Sequence, residues 1–334
     1  MRKKVEREIS AWIGRVAIAC LLACSAQPAW AKGTGRIFVT NEKSSTMTVL
    51  DRNDTVVATV PVCARPRGIA FNRDRTALFL ACGDDNAIGL YDIESFELKR
   101  LYRGMPDPET FALHPDGRHL LISNEDDSVA SLLDTQTGEI TARYPTGEEP
   151  EGVLITPDGH FAFVASEAAN LVHVIDLQAK TVVKSVIVDT RPRRLALTSD
   201  GKQLWVSAEL AGVVDIIDLA TLELVATVPF LPKGLRKEQV TPVDVVMAQD
   251  GARAYVALGR ANHVAIVEVA SRKVLDYVLV GKRPWGLRLT ADGKKLYVAD
   301  GLSDDIVIID TESLAALTSI PVGQVPYAIL IDDE

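Results

Sequence analysis

Charged side chains bracket a series of prolines and change sign along the chain. The pairs are Arg65/Arg67 around Pro66, Asp107/Glu109 around Pro108, Glu149/Glu151 around Pro150 and Arg191/Arg193 around Pro192, then Thr241/Val243, Arg283/Trp285 and Val325/Tyr327 around Pro242, Pro284 and Pro326. Guanidiniums beside carboxylates can pair across neighbouring units. They can also form a polarised face on which Arg, Trp and Tyr anchor a partner or a small molecule. The candidate binding residues are therefore Arg65, Arg67, Asp107, Glu109, Glu149, Glu151, Arg191, Arg193, Arg283, Trp285 and Tyr327.

Other residue types point less clearly to chemistry. The histidines are His114, His119, His160, His173 and His263, none at the H-x-H or H-x-x-x-H spacing of a metal site, so structural or solvated roles are expected. Asp51, Asp92, Asp134, Asp176, Asp218 and Asp310 recur at one position, which suits turn capping better than catalysis, since a catalytic group is needed once. The acidic stretches Asp84-Asp85, Glu125-Asp126-Asp127 and Asp304-Asp305 read as a solvated rim without dedicated Ca²⁺ spacing. No catalytic residue, metal ligand set or cofactor motif emerges, including no C-x-x-C-H for haem, so a binding protein is expected more than an enzyme.

The elements that position these residues follow from the repeat itself. The prolines are spaced 42, 42, 42, 50, 42 and 42 residues apart. Each is followed by an apolar stretch and, in five copies, an Asp-Gly such as Asp158-Gly159, a hairpin signal because Gly accepts the positive φ of a tight turn. A second strand (Phe163-Val164-Ala165-Ser166), a third ending in the recurrent Asp and a fourth complete the unit. Four short antiparallel strands per ~40 residues make a β-propeller blade. The expected fold is all-β, a seven-bladed propeller over residues 32–334, with the N- and C-terminal strands sharing one blade so that no partial unit keeps an unpaired edge. The extra eight residues in 229–242 bring Lys233, Arg236 and Lys237 to the proline face, as a plain extension or as a docking finger.

Residues 1–31 differ in kind. Basic Arg2, Lys3, Lys4 and Arg7, an apolar run and Ala29-Trp30-Ala31 read as a cleaved secretory signal, and the run is too short for a spanning helix. Lipidation at Cys24 is the alternative, and both readings export the protein to the periplasm. The segment carries five Lys/Arg and two Glu, so residues 32–334 keep 31 basic and 43 acidic side chains, a net charge of −12 that disfavours nucleic acid. Cys63 and Cys82 remain, both expected at the proline face and compatible with one disulfide.

The Phe/Tyr-Val-x-Asn, Val-Ile-Asp and Pro-x-Gly phrases resemble the YVTN family of seven-bladed propellers over residues 36–331. "DPETFALHPDG", "EPEGVLITPDG" and "VGKRPWGL" are similar to the periplasmic propellers associated with PQQ-dependent catabolism. That resemblance implies an exported, monomeric binding or scaffold protein accessory to quinoprotein alcohol oxidation. Its implied partners are a quinoprotein dehydrogenase, a c-type cytochrome or a small-molecule ligand. The alternatives are a propeller enzyme, lactonase-like or quinone-linked, and a nucleic-acid-binding YVTN propeller.

Overall fold

The structure, a computed structural model, describes residues 33–333; the signal-like segment 1–31, with Cys24, lies outside the described residues. Seven four-stranded antiparallel sheets form a ring, each here named by its proline. The Pro66 blade runs Pro66–Phe71, Ala77–Cys82, Ala87–Asp92 and Leu98–Arg103, and the next five repeat that order outward from the axis. The Pro326 blade is composite: Pro326–Ile331 is its inner strand and pairs antiparallel with Ile37–Asn41, so the two ends of the chain close the ring.

Alternation along each strand divides the molecule into an apolar and a polar zone. The core is seven separate clusters, one in each junction between adjacent blades. Phe161, Val172 and Leu204 fill the junction of the Pro150 and Pro192 blades, while Trp205, fully buried, sits in the next. Two faces of a sheet thus pack on two neighbours, as sheets covered on both sides do. The recurrent aspartates cap the turn after the third strand; Asp134, for example, accepts the N–H groups of Gln136 and Thr137. Among the described residues no helix is long and apolar enough to cross a membrane.

What aims the polar side chains is the loop before each proline. Proline lacks an N–H and so opens the inner strand without losing a ladder bond. The preceding residue is left-handed in six blades: Arg65, Asp107, Glu149, Arg191, Arg283 and Val325 have φ between 40° and 65°. This conformation is costly for a residue with a side chain. It is held by a repeated bond in which the carbonyl of that residue accepts the N–H of the residue just past the second strand, at Glu42, Gly83, Glu125, Glu167, Glu209 and Gly301. The Pro242 blade, which follows the 229–242 extension, departs: its inner strand shortens to Val245–Met247 and Thr241 is not left-handed. That extension is anchored by buried Phe230 and Val240, and it leaves Lys233, Arg236 and Lys237 exposed.

Candidate functional site: a charged plug at the channel mouth

The repeated loop bond brings the residue after each proline and the residue after each second strand to the same end of the central channel. In the Pro150 and Pro192 blades these are Glu151, Glu167, Arg193 and Glu209, all buried. Arg193 reaches Glu151 at 2.8 Å, Glu167 at 2.8 Å and Glu209 at 3.2 Å. Arg191 closes on Glu167 at 2.7 Å and Glu209 at 3.1 Å, and Arg283 meets Glu209 at 2.7 Å. Tyr327 donates its hydroxyl to Glu151 at 3.0 Å. Arg193 and Arg283 lie over the Trp285 ring, at 5.0 and 4.6 Å from its centroid, and Trp285 is 5.9 Å from Tyr327.

Glu151 and Glu167 bond the same Arg193 guanidinium, so two carboxyl groups share one buried site. Burial, reinforced by the Glu151 charge, pushes Glu167 up, against the pull of Arg193 and Arg191. Burial acts in the same direction on Glu151, but Arg193, the bond from Glu167 and Arg194 outweigh it and hold Glu151 below the carboxylate range. Two carboxyl groups in one buried site are thus driven apart, one neutral and one charged, the arrangement that assigns an acid and a base. Burial raises the Tyr327 hydroxyl to about 12, so it stays a donor.

On the adjoining arc, Arg65 bonds Glu109 at 3.1 Å and also contacts Asp107, while Arg67 contacts Glu109 and meets Glu42 at 3.2 Å. Asp107, Glu109 and Glu125 converge closely enough to hold a metal ion, but Arg65 and Arg67 already neutralise the first two. Cys63 and Cys82 are joined as a disulfide, Cα–Cα 5.5 Å, tying the loop that carries Arg65 and Arg67 to the second strand of its blade. The histidines serve other ends: His173 lies third in its strand, accepts the Gly147 N–H at 2.8 Å and is lowered by burial.

Arg65 pairs with Asp107 and Glu109, and Arg193 with Glu151, across neighbouring blades. Arg191 does not meet Glu149, which makes no ion pair among the described residues. Glu109, Glu151, Arg193 and Tyr327 lie inside the channel and not on its rim; Arg191 is the most open of the Pro150/Pro192 group, at 40% side-chain exposure. Glu167 and Glu209, central to the site, stand just past the second strands and not beside the prolines, so the proline-flank pattern does not reach them. Their signal was the same period, since residues 125, 167 and 209 are all Glu.

Comparison with known proteins follows the fold. The family described as lactonase, seven-bladed β-propeller, matches residues 153–321, and a YNCE-like β-propeller family matches residues 69–200. No curated protein matches the chain. Hydrazine synthase of Kuenenia stuttgartiensis is 23% identical, with a TM-score of 0.71 over 79% of this chain and 88% of that one. A putative 6-phosphogluconolactonase from Bacteroides fragilis is 19% identical, with a TM-score of 0.73 over 92% and 99%. Dihydro-heme d1 dehydrogenase NirN in complex with DHE is 16% identical, with a TM-score of 0.68 over 93% and 78%. Likeness at this level establishes the propeller and does not reach the finer PQQ-associated resemblance.

Proposed function

Since the chain belongs to the seven-bladed β-propeller lactonase family, we propose that it is a lactonase-like enzyme acting at the channel mouth on an anionic cyclic ester. The observation that carries this reading is the buried Glu151–Glu167 pair bridged by Arg193. Ring opening adds water to the carbonyl carbon, breaks the bond from that carbon to the ring oxygen and leaves a hydroxy acid. Ionised Glu151 takes the proton of the attacking water, and neutral Glu167 gives one to the departing oxygen. Arg193 stabilises charge that develops on the carbonyl oxygen, and the more open Arg191 meets a substrate carboxylate.

The Cys63–Cys82 disulfide supports an oxidising compartment and so the export inferred from residues 1–31. The test uses protein recovered from a periplasmic fraction, whose first residue should be Lys32, titrated in a pH-stat against carboxylated and neutral lactones. Hydrolysis is expected, with a loss of about 100-fold or more in Glu167→Gln at unchanged folding. No turnover of any lactone would remove the enzyme reading. A second reading, a non-catalytic propeller serving a quinoprotein dehydrogenase or its c-type cytochrome, is favoured by the exposed cationic extension with Lys233, Arg236 and Lys237. Capture of such a dehydrogenase from periplasm, lost when the three are replaced by Ser and accompanied by no lactone turnover, would select it.

A further inference from the structure

On the face opposite the channel mouth, a cleft of about 470 Å³ opens between the Pro108 and Pro150 blades. Similar clefts of about 390 and 500 Å³ open at two other junctions, so the groove itself is architecture. Its lining is not. Six residues past the proline the other continuous blades carry Asn72, Thr156, Thr198, Ala248 and Thr290, and here His114; eleven past it they carry Ala77, Phe161, Gln203, Arg253 and Lys295, and here His119.

The acidic groups of this cleft are spent inside the protein. Asp116 is bonded by His119 Nδ1 at 2.7 Å and by the N–H groups of Arg118 and His119. Asp134 holds the Arg118 guanidinium and two backbone N–H groups, and Asp158 accepts from Thr156 Oγ1 and the His160 N–H. His114 uses both ring nitrogens, on the Gly159 carbonyl and the Asp116 N–H. The cationic donors are not spent. Lys180 is exposed and makes no ion pair among the described residues, His119 keeps Nε2 without a partner there, and Arg118 keeps Nη1. Burial pushes Asp116 up, yet the N–H groups of Arg118 and His119 and the His119 ring hold it down to about 2, so it stays charged. Leu132 and Leu177 supply apolar lining.

We propose that this cleft is a second binding site, distinct from the channel mouth, for a small anion bearing a phosphate or carboxylate held by Lys180, His119 and Arg118. Inorganic phosphate and malonate, titrated calorimetrically into the full mature chain at constant ionic strength, are the probes. At least one should bind saturably, and the tighter of the two names the anion class. Lys180→Met, an exposed change that leaves the fold alone, and His119→Gln should each weaken it roughly tenfold or more. Lys294→Met, in the 390 Å³ cleft, should leave it unchanged. No saturable binding of either anion, equal affinity in Lys180→Met, or an equal loss in Lys294→Met would overturn the site.

Discussion

The two ionic clusters at the channel mouth are built from the same residue types at the same blade positions, and they neutralise charge by different means. In the Pro66/Pro108 arc the buried carboxylate, Glu109, stands between two guanidiniums, and the other acids, Glu42, Asp84 and Asp107, keep contact with water. In the Pro150/Pro192 arc three buried carboxyl groups surround one buried guanidinium, with Arg191 and Arg283 reaching in from the side. Where solvent surrounds the excess acid, it stays charged; where burial strips most of that solvation away, a proton is retained. The ratio of buried charges therefore sets which arc can do acid–base chemistry.

Removing the central cation of each arc should expose this difference most strongly. Arg193→Met leaves Glu151 and its neighbours buried without their shared partner and should cost about 3–5 kcal/mol. Arg67→Met leaves Glu109 paired with Arg65 and should cost about 2 kcal/mol or less. Urea unfolding of both variants measures the gap, and equal losses would mean that the two arcs do not differ in how burial is compensated.

The loops that carry the two arcs are also held differently. The Pro66 loop is tied by Cys63–Cys82, whereas the Pro192 loop rests on buried Asp215, which accepts the Asp189 N–H at 2.7 Å. With the cysteines 19 positions apart, Cys63→Ser with Cys82→Ser should cost roughly 3 kcal/mol, independent of pH. Asp215 is raised to about 6, first by burial and then, against the Asp189 N–H bond, by the Asp189 charge. A raised folded value gives a contribution that is complete below the unfolded value near 4 and is lost as pH climbs through 6. Asp215→Asn keeps the acceptor and should recover about 2 kcal/mol at pH 7–8 while changing little at pH 4. Thermal melts from pH 4 to 8 check both; a pH-dependent cost of the cysteine change, or an unchanged slope in Asp215→Asn, would break the contrast.

How far the sequence foretells this arrangement depends on what kind of regularity carries it. The blades are legible because Asp-Gly turns and a 42-residue period are local chemistry repeated. Ring closure follows because Ile37–Asn41 and Pro326–Ile331 are halves of one unit. At the mouth, Glu109, Glu151 and Arg193 are legible as charges beside prolines, but their burial is not. Whether such a side chain faces the axis or the rim depends on the left-handed residue before each proline, and Arg65, Glu149 and Val325 share that φ while sharing no chemistry. Tyr327 shows the consequence: an expected rim anchor lies buried with its hydroxyl on Glu151.

The smallest stability effect is the most discriminating one. Glu167 lies 2.7 Å from Arg191 and 2.8 Å from Arg193, distances that would suit an ionised carboxylate, yet burial and the Glu151 charge favour the neutral form. Glutamine has nearly the shape of that neutral group, with a donor for Glu151 and an acceptor for the guanidiniums. Glu167→Gln should therefore change stability by about 1 kcal/mol or less at pH 4, where the carboxyl it replaces is largely neutral in the folded and unfolded chain alike. The pH dependence has a definite sign: the raised value makes the wild-type contribution complete below the unfolded value near 4 and progressively lost as pH rises from there to the alkaline folded value, so the variant should fall away less steeply from pH 5 upward. Glu109→Gln, in contrast, removes the countercharge of two guanidiniums and should cost about 2 kcal/mol. Guanidinium is itself a competing ion, so both are measured in urea. A Glu167→Gln loss as large as that of Glu109→Gln would show Glu167 to be ionised, and with it would go the acid in the proposed ring opening.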